Sequence, residues 1–270
     1  MLQVGNPTNI YLTTAYGISF SDYFRIMLLP TLFAGLANLT ILLLLFRKTF
    51  SQDIAEQKIT PGLALKDKTG VLIGVSVLAL CILTMSMSQE IGLSMWQIAC
   101  IFAAILAILI IGRDIFAKSA YMAESLAAMP WPIIPFMLSF FIMVSAMEQE
   151  GLTAIFRSWM PQGNAMQAIF TYGIVSTLAA NLVNNIPMTA AFTSILQGTA
   201  YMIPAGLAVV IGSNLGANLT PIGALAGIMW MSILKKKKIH MSFIEFTKYG
   251  LVVTIVSLLA SLTALWLVML

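Results

Sequence analysis

Charge is the scarcest commodity in this chain. Of its 270 residues, 9% are Asp, Glu, Lys or Arg and 60% are apolar, whereas a soluble domain carries about 25% charged residues. An aqueous fold would lack the polar side chains to cover its surface, so the sequence reads as an all-α integral membrane protein of the plasma (inner) membrane, multi-pass, with the lipid bilayer as its first partner. Histidine is almost missing: His240 stands alone, beside Lys235-Lys236-Lys237-Lys238, where an interfacial side chain is its simplest reading. The two cysteines, Cys81 and Cys100, both fall inside apolar stretches and read as packing residues rather than as a disulfide or a metal pair. No nucleophile with its base, phosphate loop or metal cluster is visible, so the chain is expected to be no enzyme and to need no cofactor or metal. Nucleic-acid motifs are absent too. The first ten residues have neither a basic start nor an apolar core, and no cleavable signal is expected there.

The deepest gap in charge runs from Arg157 to Lys235. The 77 residues between them contain no Asp, Glu, Lys, Arg or His. One crossing needs only ~20 apolar residues, so this run has room for several. It is interrupted twice, by Asn181-Leu182-Val183-Asn184-Asn185-Ile186-Pro187 and by Ser213-Asn214-Leu215-Gly216-Ala217-Asn218-Leu219-Thr220-Pro221-Ile222-Gly223. Irregular backbone at bilayer depth survives only where protein or a water-filled cavity satisfies its polar groups. Two interruptions so close together point to a binding site near the midplane, built from discontinuous helices.

Dividing the chain at its charges gives uncharged stretches at Ile26 to Phe46, Thr69 to Gln89, Ile91 to Gly112, Ser125 to Met147, Ser158 to Leu234 and Tyr249 to Leu270. Arg47, Lys48, Lys58, Lys66 and Lys68 mark the loop around 49–68 as a cytoplasmic linker, and Arg113, Lys118, Lys235 to Lys238 and Lys248 mark later cytoplasmic ends. Alternation then puts Glu148 and Glu150 outside. From that side, a re-entrant hairpin over about 165–197 is expected, with Asn184, Asn185 and Pro187 near its tip. A broken helix follows over about 203–234: Pro204 to Gly212 descends, Ser213 to Pro221 unwinds, and Ile222 to Leu234 resumes. Ser242 to Phe246 reads as a short interfacial segment before the last span.

An internal repeat is also visible. Ser19-Phe20-Ser21-Asp22-Tyr23-Phe24-Arg25 aligns with Ser242-Phe243-Ile244-Glu245-Phe246-Thr247-Lys248 at an offset of 223, which also pairs Asn38-Leu39-Thr40 with Ser261-Leu262-Thr263. A polar proline motif lies upstream of each copy, Asn6-Pro7-Thr8-Asn9 and Thr220-Pro221-Ile222-Gly223. The loop charges give the following spans opposite directions, as inverted-topology repeats require. On this division residues 1–48 are the tail of a first, incomplete repeat and 69–270 are the second. Met1 is then expected to open a chain shortened at its front.

Asn184, Asn185 and Thr189 on the hairpin and Ser213, Asn214, Asn218, Thr220 and Pro221 on the broken helix offer neutral donors, acceptors and freed backbone groups. Asn6, Thr8 and Asn9 would supply the facing half. The helix start after Pro221 would turn its N–H groups toward an oxyanion, and unwound carbonyls suit a sodium ion or an ordered water. Helix packing competes with this reading: Gly212 to Gly216 and Gly223 to Gly227 are small-xxx-small spacings, and buried Asn often bonds a neighbouring helix. The apolar stretches contain no carboxylate, so no proton relay is visible.

At these two amide-rich motifs the chain resembles the ion transporter superfamily, nearest to its arsenite-efflux pump and citrate-transporter-like branch, with Gly5-Asn6-Pro7-Thr8-Asn9 similar to the first-repeat counterpart. The resemblance implies paired inverted repeats, each with a re-entrant hairpin and a broken helix, and a site for substrate and coupling ion, H+ or Na+, between hairpin tips and unwound stretches. It implicates the residues named above. The expected function is ion-coupled secondary transport, by an antiporter or similar device, of an inorganic oxyacid such as arsenite or antimonite, or of a small organic anion. A homo-oligomer is compatible with it. The competing expectation is a non-transporting membrane paralogue or assembly partner that supplies one repeat to another chain.

Overall fold

A computed structural model describes residues 2–51, 67–129, 131–160 and 163–270. Most of the expected linker, with Lys58 and Lys66, lies outside the described residues. The described chain is helical throughout, and its helices of eight residues or more are α1 (Pro7–Ala15), α2 (Phe20–Leu45), α3 (Lys68–Ser86), α4 (Met95–Ala117), α5 (Tyr121–Ala128), α6 (Ile133–Gln149), α7 (Leu152–Trp159), α8 (Ala165–Val183), α9 (Asn185–Leu196), α10 (Met202–Gly216), α11 (Leu225–Lys236) and α12 (Phe243–Val268). Five of them, α2, α3, α4, α8 and α12, are long and apolar enough to cross a membrane. Two compact units form, one from Met1–Gln52 with Ile134–Leu270 and one from Asp53–Ile133.

In the first unit the two segments that align at offset 223 each begin a helix of the same length. Ser19 accepts a hydrogen bond from the Asp22 N–H at the head of α2, and Ser242 accepts one from the Glu245 N–H at the head of α12. Each helix then runs for 26 residues. Phe20 and Phe243, and Leu45 and Val268, stand at the same 223-residue offset as the caps. Twenty-six residues span roughly 39 Å, so both can cross a ~30 Å hydrocarbon core with tilt to spare. The expected division of the last span into an interfacial piece and a separate crossing is therefore corrected: a capping Ser and a first-turn acid favour a helix N-terminus, and Lys248 does not break it. α2 and α12 lie against each other, tied by Ser261 Oγ donating to the Pro30 carbonyl at 3.0 Å.

The span expected at Ser125 to Met147 is likewise two helices. Met129 is extended, with ψ 139°, which is the conformation imposed on a residue that precedes proline. In Met129-Pro130-Trp131-Pro132 the two ring nitrogens also remove donors, so α5 ends and α6 begins afresh.

In the second unit α3 and α4 pack side by side. Asp67 caps α3 by accepting from the Gly70 N–H at 2.9 Å and pairs with Arg113, whose guanidinium lies 5.0 Å from the centre of the Tyr121 ring. The Gly70 N–H, together with Arg113, holds the Asp67 carboxyl below its ordinary range.

The core of the first unit is the crossing of α8 and α10, with α9 against both. Ala205, Leu207, Ala208, Val209 and Val210 on α10 are fully buried. The helices meet at Gly212, where any Cβ would collide with the Gly173 carbonyl and the Ser176 hydroxyl. The small-residue spacing from Gly212 to Gly216 is thus used for packing, because only glycine lets the backbones approach this closely. Gly212→Val is expected to lose about 1–3 kcal/mol of stability through overpacking, read as a lowered unfolding midpoint in detergent.

Candidate functional site

The first unit contains three chain breaks. The first is Asn6, the cap of α1: its side chain accepts from the Thr8 N–H at 3.1 Å while Pro7 fills the first helical position. Proline suits that position because its missing N–H has no intrahelical partner there. The second is Asn184. α8 stops at Val183 and α9 starts at Asn185, with the single residue between them at φ +73°, ψ 155°. That is a conformation other than glycine rarely adopts, and holding it costs about 1–3 kcal/mol. The Asn184 side chain is 9% exposed and its Oδ1 has no partner among the described residues. The third is the stretch 217–224 between α10 and α11.

The position of this last break corrects the sequence expectation. α10 stays helical through Gly216, so Ser213 and Asn214 sit on its final turn rather than in unwound chain, and the helix resumes at Leu225 rather than directly after Pro221. Short-range bonds close the irregular stretch, Asn218 N–H to Leu215 O, Leu219 N–H to Gly216 O and Gly223 N–H to Thr220 O. Asn214 can stay helical because its own Nδ2 bonds the Val210 carbonyl at 2.8 Å. The departure waits for Asn218-Leu219-Thr220-Pro221, where proline forbids further ladder.

Asn214 is the centre of the arrangement. Asn6 Nδ2 donates to Asn214 Oδ1 at 2.6 Å, and Asn214 Nδ2 donates to Asn9 Oδ1 at 2.8 Å. These bonds join residues 205 to 208 positions apart. At the neighbouring residue of α10, Thr189 Oγ1 lies 3.3 Å from Ser213 Oγ and bonds the Asn185 carbonyl at 2.9 Å. Thr8, Asn9, Thr189 and Ser213 are fully buried and Asn185 nearly so. The structure therefore gathers Asn6, Thr8, Asn9, Asn185, Thr189, Ser213 and Asn214 at the junction of α1, α9 and α10. A cavity of about 110 Å³ opens beside Asn214, flanked by Thr31 and Ser261. A single water needs ~10–15 Å³ by this kind of measure, so it admits a few waters or one small solute.

The remaining expected residues lie elsewhere. Thr220 Oγ1 donates to Asn181 Oδ1 at 2.6 Å, while Asn181 Nδ2 donates to the Thr177 and Gly216 carbonyls, both at 2.9 Å. Asn181 thus ties α8 to the end of α10. Asn218 lines a separate cavity of about 400 Å³ with Asn38, and buried Pro221 lines another.

Two side chains absent from the sequence-based set hold α9 in place. Arg157 donates to the Ile195 and Ser194 carbonyls at 2.6 and 3.0 Å, and Tyr16 donates to the Thr193 carbonyl at 3.0 Å. A cation at a helix C-terminus complements its dipole. Arg157 could have been suspected as the last charge before the long uncharged run; nothing in the sequence singles out Tyr16.

The helices and the break define the class: a multi-pass membrane protein whose buried polar residues meet at interrupted helices. The model of the ArsB family, arsenical pump membrane protein, matches residues 1–269, and the chain belongs to that family. It is thereby related to membrane transporters, not to enzymes. It is similar to the arsenical pump membrane protein of Escherichia coli K12, 28% identical over 98% of this chain and 62% of that protein, and to that of Yersinia enterocolitica, 26% identical over the same shares. An uncharacterized transporter of Mycobacterium tuberculosis is 26% identical over 98% of this chain and 63% of its own length. The chain thus spans less than two thirds of these relatives. No solved structure matches it.

Replacing Asn184 by glycine separates backbone strain from side-chain chemistry. Asn184→Gly is expected to raise stability by about 1 kcal/mol, since it relieves strain and removes an unpaired buried oxygen. Thermal unfolding in detergent measures this; a fall in the midpoint would show that the asparagine side chain stabilises the bend.

Proposed function

We propose that this chain is an ion-coupled secondary transporter, or part of one, that moves a small inorganic oxyacid of the arsenite or antimonite kind. The observation that carries this reading is the Asn6, Asn214 and Asn9 network, which joins the head of α1 to the last turn of α10 across more than two hundred residues. Buried amides cost free energy unless paired, and the small cavity beside this network has a neutral lining, with Asn214, Thr31 and Ser261 set among apolar side chains. Such a lining can hydrogen-bond a weak acid without trapping it. The relatives' name, arsenical pump, supports the substrate class, and a cavity of about 110 Å³ suits a small solute better than a tricarboxylate. Asn185 and Thr189 contribute from α9, Ser213 from α10 and Asn184 from the bend before α9, with Thr220, Asn218 and Pro221 framing the break below.

The coupling ion, H+ or Na+, would use carbonyls freed in 217–224, as irregular backbone lining a membrane site commonly does. In this reading α8 and α9 form a re-entrant hairpin, and residues 1–48 and 69–270 belong to two repeats of opposite direction. The matched caps and lengths of α2 and α12 support the duplication. Substrate would reach the site from either side as the α8–α9 pair and the broken helix shift against the other spans.

Everted membrane vesicles from cells expressing the gene provide the test, with arsenite and citrate as alternative solutes. Asn214→Ala is expected to reduce arsenite accumulation by at least tenfold, since it breaks three hydrogen bonds at about 1 kcal/mol each or more. Unchanged arsenite flux in Asn214→Ala would refute the assignment of the site, and accumulation of citrate but not arsenite would refute the substrate class.

A further inference from the structure

The cytoplasmic end of α11, as the positive-inside pattern places it, carries features that transport does not use. Lys235, Lys236, Lys237 and Lys238 are consecutive, and Glu245 is the one acid within ten residues of them. The helix closes with Lys238 N–H bonded to Lys235 O at 3.1 Å and Ile239 N–H bonded to Leu234 O at 3.0 Å. Lys238 takes the left-handed position at φ +59° that glycine usually fills. The chain then reverses through His240 to Ser242, the cap of α12.

Between these two helix ends lies a cavity of about 590 Å³. Lys235, His240, Ser232 and Ser242 line it, and Met231 and Phe243 supply apolar wall. Trp230 of α11 and Phe246 of α12 approach to 5.8 Å beside it, and Ile233, Phe243 and Ile244 are exposed. Exposed apolar side chains with a Trp and a lysine cluster mark the level of lipid headgroups. The ligand that fits must bring a negative group to Lys235 and the His240 imidazole, and apolar bulk to the rest. An inorganic phosphate would leave most of the volume unfilled. Cytoplasmic-leaflet anionic lipids are also drawn to juxtamembrane lysines.

We infer that this cavity binds one anionic phospholipid of the cytoplasmic leaflet, with its phosphate between Lys235, His240 and the hydroxyl of Ser242. The acyl chains leave along the exposed apolar side of α11. The site is lined by residues within 221–243.

Native mass spectrometry of the full chain, released from mixed micelles with equal phosphatidylglycerol and phosphatidylcholine, tests the assignment. Wild type is expected to retain phosphatidylglycerol preferentially. The double variant Lys235→Gln/His240→Gln is expected to lose that retention by roughly five- to tenfold, as removal of a juxtamembrane positive charge implies. Lys236→Gln/Lys237→Gln, which leaves the cavity lining intact, is expected to keep most of it, with the unfolding midpoint of both variants confirming folded protein. Equal losses in both would show diffuse attraction to a basic loop and overturn the site. Equal retention of the two lipids by wild type, or displacement of phosphatidylglycerol by millimolar inorganic phosphate, would overturn it as well.

Discussion

Hydrocarbon offers no hydrogen bonds to a peptide group, and every irregular stretch of a membrane-spanning chain must find its partners inside the protein. This constraint governs the break at 217–224. Gly216 loses its place in the helical ladder, and its carbonyl is taken up by the Asn181 side chain and the Leu219 N–H. Thr220, where the chain departs, anchors to the same asparagine. Asn181 does for this break what capping residues do for soluble helices, but from a neighbouring helix. The approach of Gly212 to the Gly173 carbonyl makes the reach short enough.

The same constraint gives meaning to the groups that are left over. Ser213 and Asn214 on α10 and Thr189 on α9 occur where those helices could have been apolar, yet Thr189 bonds Ser213 and Asn214 bonds the head of α1. Packing alone explains Thr177 and Asn181, whose bonds all go to nearby backbone or to Thr220. It does not explain Asn184, which combines a strained backbone with an unpaired buried oxygen. Features that cost stability twice at one residue are concentrated at functional positions. Here they lie at the hinge of α8 and α9, while Arg157 and Tyr16 fix the opposite end of α9. One end of that helix is held by charge and hydroxyl, and the other begins at a strained residue.

Much of this architecture was legible in the residues themselves. The uncharged run after Arg157 announced several helices, Asn184 with its neighbours marked a place where the helix is interrupted, and the alignment at offset 223 picked out two segments that each begin a helix. Boundaries were less legible. Asn214 looked like a helix breaker because its intrinsic propensity is poor, but a bond to the Val210 carbonyl keeps it helical. Ser242 to Phe246 looked separable because of its charges, yet a serine cap and a first-turn acid begin a helix rather than an isolated segment. Long-range partners were not legible at all. That Asn6 meets Asn214, or that Tyr16 reaches Thr193, follows from how α1 lies against α9 and α10, which no local pattern encodes.

The proposed function requires the backbone between α10 and α11 to be within reach of solute and water inside the bilayer while its neighbours stay sealed. Amide hydrogen exchange of the protein in lipid nanodiscs addresses it directly. The account predicts that amides of 217–224 exchange far faster than those of 205–212 and of 253–265, because their bonds are short-range turns beside cavities. Protection of 217–224 as deep as that of the flanking helices would contradict it.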